Sequence, residues 1–104
     1  MKALVIGTLL LTVAVIARAQ SQEAVAVRGD AAFKSNGCYG CHTIGKLGTP
    51  IGPDLSHIGR TRDADSLARW LRNPALQRPT AHMPVLELSD DDVSALAVYL
   101  STQR

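Results

Sequence analysis

Cys38-Tyr39-Gly40-Cys41-His42 places two thiols and an imidazole within five consecutive residues, and no other cysteine occurs in the 104-residue chain. That spacing constrains the fold more than any periodicity does. A chain this short buries a modest fraction of its surface, so a disulfide, metal or cofactor commonly supplies what the core cannot. The two cysteines decide which.

Four chemistries use a C-x-x-C pair. A thiol-disulfide redox motif opens a helix after a strand in a β-α-β unit, and no strand-like run precedes Cys38. A structural zinc needs two further ligands, and beyond His42 only His57 and His82 remain. A plain disulfide leaves His42 without a role. C-x-x-C-H is also the spacing that lets both thiols add to the vinyl groups of one haem while the adjacent imidazole reaches the iron. The sequence therefore points to one covalent haem c on Cys38, Cys41 and His42.

A six-coordinate iron needs a ligand opposite His42, supplied by Met or His. Once Met1 is removed with the leader, Met83 is the only thioether, on a loop stiffened by Pro79 and Pro84. His82 is its neighbour and rival, and would give a bis-histidine site. His57 follows Gly52-Pro53-Asp54-Leu55 too closely to cross the haem plane. A sixth position left empty would suit gas binding or peroxide reduction.

The chain opens with Lys2, an uncharged run from Ala3 to Ala17, and Ala17-Arg18-Ala19, the pattern of an export signal cleaved after Ala19. A retained anchor fits less well, because spanning hydrocarbon takes roughly 20 apolar residues. The expected organisation is a signal peptide over 1–19 and one domain over 20–104, exported or periplasmic, with no integral span after cleavage. Removing Lys2 and Arg18 leaves nine basic against nine acidic residues. A nucleic-acid partner has no electrostatic support in that balance.

A helical pattern runs from about Gln22 to Asn36, where Asn36-Gly37 stops it just before the cysteines. Ile44 to Gly59 holds four glycines and two prolines and reads as an ordered loop. Asp63 or Asp65 caps a short helix carrying Leu67, Trp70 and Leu71, which Asn73-Pro74 ends. Ser89 with Asp92 opens the last helix, whose Val93, Leu96, Ala97 and Leu100 form one apolar stripe. The aspartates Asp90 to Asp92 suit the positive end of that helix. The fold class is all-α.

Together these residues resemble the class I cytochrome c family, over Gly29 to Leu100. The resemblance implies the cytochrome c fold: three to four helices around one haem, with N- and C-terminal helices crossing at Gly29 and Phe33 against Leu96 and Tyr99. Gly52-Pro53-Asp54-Leu55 is similar to the family's Gly-Pro-x-Leu segment, which implies that the Pro53 carbonyl orients His42. Arg60 resembles an arginine that neutralises a haem propionate, and Trp70 falls where the family places an aromatic beside the methionine ligand. The stretch from Gly52 to Leu100 also looks like the cytochrome domain fused to some terminal-oxidase second subunits. What this implies is a carrier of single electrons, not an enzyme in itself. Its partners would be redox proteins: a membrane oxidase, a quinol-oxidising complex or a periplasmic dehydrogenase. The alternative is a cytochrome subunit bound within such a dehydrogenase or oxidase. Only Lys34 and Lys46 remain after cleavage, so the lysine-ringed docking face of mitochondrial cytochromes is missing.

Overall fold

The computed structural model describes residues 2–104, with side chains from residue 7 onward. Four α-helices, α1 (Lys2–Ser35), α2 (Ala64–Arg72), α3 (Pro74–Gln77) and α4 (Asp90–Ser101), make the frame. Two 3-10 turns, Cys38–Gly40 and Ile58–Arg60, and a pair of two-residue strands, β1 (Thr43–Ile44) and β2 (Leu47–Gly48), fill the connections. Among the described residues no helix is long and apolar enough to cross a membrane.

Helix α1 begins well before its expected start at Gln22, running unbroken from Lys2 through the apolar N-terminal stretch to Ser35. Ala, Leu, Val and Ile dominate this stretch and no proline interrupts it, so nothing local stops the helix. Residues 7–24 are exposed throughout, and packing begins only at Val25. At the other end the Asn36 amide side chain donates to the Ala32 carbonyl at 2.8 Å, and Gly37 takes φ 73°. This left-handed residue closes the helix and turns the chain into the cysteine pair.

The expected caps of the later helices are in place. Asp63 accepts from the Ser66 amide at 2.8 Å to open α2, and Ser89 accepts from the Asp92 amide at 3.1 Å to open α4. Asn73 leaves α2 in an extended conformation, as a residue before proline must, and Pro74 starts α3 at its first position. The 43–48 stretch differs from the expected plain loop. Thr43 pairs with Gly48 and Ile44 with Leu47 across a turn in which Gly45 alone has positive φ, 59°. Two residues per strand leave no alternation for a sequence pattern to reveal.

The core lies where α4 meets both α1 and α2. Ala32, Phe33, Leu67, Leu71, Val93, Leu96, Ala97 and Leu100 form one buried cluster, with Phe33 and Leu96 each 1 % exposed. The Tyr39 ring meets Phe33 edge-on at 4.7 Å, and Tyr99 lies 6.0 Å away on the same ring. Burial, with Tyr39 and Asp30 alongside, pushes the Tyr99 phenol well above its ordinary range. Gly29 lies at the closest approach of α1 and α4, where a Cβ would collide with the Ala95 carbonyl and the Tyr99 Cβ. The terminal helices therefore cross as the family resemblance implied.

Gly29→Ala should cost about 1–3 kcal/mol through overpacking at this crossing. For a domain of this size that is a fall in Tm of roughly 5–20 °C, read from thermal unfolding of the haem-loaded protein. An unchanged Tm would mean that the helices do not approach this closely.

Candidate functional site

The cysteine pair sits on the 3-10 turn that follows Gly37. The amides of Cys41 and His42 both donate to the Cys38 carbonyl, at 3.2 and 2.9 Å, so the motif folds on itself and the imidazole emerges beside the two thiols. Cys38 is half-buried, Cys41 is exposed, and they are not joined to each other. Burial pushes the Cys38 thiol up, against a backbone hydrogen bond that lowers it.

His42 Nδ1 lies 2.8 Å from the Pro53 carbonyl oxygen. A carbonyl can only accept, so Nδ1 carries a proton and donates it, and the lone pair of the neutral ring lies on Nε2. Gly52 packs under the same ring: a Cβ there would lie 2.8 Å from His42 Cε1, so any side chain would tilt the imidazole. The role expected of Pro53 thus has a geometric basis.

The strap that carries Pro53 is tied back by a network the sequence reading did not anticipate. Asp54 accepts from the Ser56 hydroxyl at 2.6 Å, the Ser56 amide at 3.0 Å and the Thr43 hydroxyl at 3.1 Å. The Ser56 oxygen in turn accepts from the Gly45 amide at 2.8 Å, and the Leu55 amide donates to the Thr43 carbonyl at 2.8 Å. Asp followed two residues on by Ser is an Asx-turn signal that could have located part of it. Hydrogen bonds from the Ser56 hydroxyl and amide, with Thr43 adding to them, hold the exposed Asp54 carboxyl below its usual range.

Met83 is half-buried and packs against the core cluster, whereas His82 and His57 are exposed. The indole Nε1–H of Trp70 donates to Met83 Sδ at 3.2 Å, which brings together the two side chains expected to neighbour each other. The Arg62 guanidinium lies 5.5 Å from the centre of the Trp70 ring, a contact no sequence signal suggested. Arg60 is exposed at the end of the second 3-10 turn, where it lines an open hollow of about 430 Å³ with Arg62, Ser101 and Arg104.

This donor set fits a c-type haem. Two unpaired thiols stand next to an imidazole whose Nδ1 is engaged, a thioether faces a single N–H donor, and Cys38 and Met83 pack against the same apolar core as Ile44, Leu55, Ile58, Ala68 and Leu88. The zinc alternative has no comparable support, since no group of three or more His, Cys, Asp or Glu able to hold a metal ion occurs among the described residues.

Fold and site together define a small helical domain built to carry one covalently bound haem. The chain belongs to the cytochrome c family, whose model, described as Cytochrome c, matches residues 26–104. It is also 31% identical over 91 residues to the cytochrome c oxidase subunit 2 of Alkalihalophilus pseudofirmus. That match covers 79% of this chain and 27% of the relative, so the chain spans about a quarter of that protein. Membership carries haem c at the Cys38 and Cys41 pair and, for the domain, electron transfer.

Because the Asp54 carboxyl titrates lower when folded than when unfolded, its stabilising contribution is complete above the ordinary carboxylate pKa of about 3.9 and is lost as pH falls through the folded value. The Tm gap between the protein and Asp54→Ala should therefore be constant from about pH 5 to 7 and shrink below about pH 4. A gap that widened on acidification would contradict the sign of this linkage.

Proposed function

We propose that the chain works as an exported carrier of single electrons whose haem iron is ligated by His42 and Met83. When bound, the haem supplies a one-electron couple between ferrous and ferric iron. The observation that carries the reading is that each candidate ligand atom already has an orienting partner of its own. The Pro53 carbonyl keeps the His42 proton on Nδ1, so Nε2 is a neutral donor, and the Trp70 N–H holds the Met83 sulfur within the half-buried wall of the site.

With both ligand positions taken by side chains, no open position is left for oxygen or a substrate, which favours electron transfer over gas binding. Thioether ligation and apolar surroundings both favour ferrous iron, so a positive potential follows. His82 is exposed while Met83 packs on the core, which favours the thioether over the bis-histidine alternative. Arg60 is proposed to neutralise a propionate.

The export reading draws support from packing. Residues 7–24 bury nothing against the domain, so cleavage after Ala19 leaves the core cluster whole. The likeness to a segment of an oxidase subunit favours a second reading, in which the protein serves as the cytochrome part of a larger oxidase or dehydrogenase. Size exclusion of the natively purified protein separates the two: a free carrier elutes near its own mass, a bound subunit with its complex.

Met83→Ala should abolish the weak near-infrared sulfur-to-iron band of the ferric protein, lower the reduction potential and make the ferrous protein bind carbon monoxide rapidly. Rapid carbon monoxide binding by the unmodified protein at neutral pH would overturn the two-ligand reading and favour a gas-binding or peroxidase role.

A further inference from the structure

We propose that Arg62 is a positioning residue that acts through Trp70 on the Met83 sulfur, an inference that rests on Met83 being the iron's sixth ligand. Two contacts and the lack of a competing ion pair place it in that chain. The guanidinium lies over the indole ring at 5.5 Å, within the range of a cation–π contact. Its Nη1 donates to the Ser66 hydroxyl at 3.3 Å, which anchors it to the first turn of α2. Asp63, the neighbouring carboxylate, is engaged in capping that turn at the Ser66 amide, and no salt bridge to Arg62 occurs among the described residues.

The geometry matters because an indole has one N–H and no other polar atom. That single donor reaches Met83 Sδ only while the ring keeps its plane, and Trp70 is only half-buried, so the core does not fix the plane from every side. The planar guanidinium over the ring adds a restraint that the core does not supply. Lysine, a compact charge on a flexible stem, cannot cover a ring in the same way.

A hydrogen bond to the sulfur draws electron density from it and weakens its hold on ferric iron relative to ferrous. The fixed positive charge of Arg62 acts in the same direction. Arg62 thus supports a high potential twice, once as a charge and once by aiming the indole, and the two contributions are separable.

The test uses the haem-loaded protein with Arg62→Gln, Arg62→Lys, Trp70→Phe and the double variant Arg62→Gln with Trp70→Phe. Three properties are read: the sulfur-to-iron band of the ferric state, the reduction potential, and the affinity of added imidazole, which competes with Met83. Arg62→Gln should lower the affinity of the ferric protein for imidazole about two- to fivefold, the scale of an exposed cation–π contact, and lower the potential. Arg62→Lys should recover the potential in part but leave the band displaced. In the Trp70→Phe background, Arg62→Gln should no longer change imidazole affinity. Equal effects of Arg62→Gln in both backgrounds, or full recovery of all three properties by Arg62→Lys, would reduce Arg62 to a charge and overturn the proposal. No effect in either background would also overturn it. A sulfur-to-iron band that survives in Met83→Ala would instead remove the ligand assignment beneath it, a distinct failure.

Discussion

The crossing of α1 and α4 at Gly29 is the contact from which the rest of the site is hung. Helix α1 ends at Ser35 and the cysteine turn begins three residues later, so the angle at which α1 leaves the core sets the position of both thiols and of His42. Helix α4 also holds α2 through Leu67 and Leu71, and α2 carries Trp70. One helix pair therefore locates the imidazole through α1 and the thioether's partner through α2. Because the approach is close enough to exclude any side chain at Gly29, it leaves little freedom to slide.

Around this frame, the two ligand candidates are held by different physics. His42 is fixed by a strap of backbone and exposed polar side chains, in which Asp54 gathers three donors and Gly52 leaves room for the ring. Such an arrangement orders the loop without adding to the core. Met83 is fixed by packing and by one N–H, on a loop with two prolines that loses less entropy on ordering. The imidazole side is thus specified by hydrogen bonds and the sulfur side by shape.

What could be read in the sequence follows this division. Adjacent residues with strong local chemistry were legible: the C-x-x-C-H run, the Asn36-Gly37 stop, the Ser89 cap, the Asn73-Pro74 break and, with Asp65 as its rival, the Asp63 cap. The buried stripe of α4 was legible because burial on one face imposes a period, and Val93, Leu96, Ala97 and Leu100 are all in the core. The strap network was not, since the Thr43 to Asp54 bond spans eleven residues and leaves no pattern between. Arg62 over Trp70 was missed for a related reason: eight residues apart, they meet only because a 3-10 turn and a capped helix start place them so. The continuation of α1 upstream of Gln22 follows helix propensity, which sees no boundary there, whereas the export-signal pattern marks one after Ala19.

The contact between the terminal helices also bears on when the molecule can form. Gly29 meets Ala95 and Tyr99 across roughly 65 intervening residues, and closing a loop of that length costs about 4 kcal/mol in chain entropy before any constant term. Nothing earlier in the chain can replace α4 as the surface on which Phe33 and α2 are buried. A chain emerging from the ribosome therefore stays open until the Asp90–Ser101 segment is free. Throughout that interval the Cys38–His42 segment is an accessible linear peptide, so the order of synthesis itself provides a window in which both thiols can be modified before Cys38 becomes half-buried.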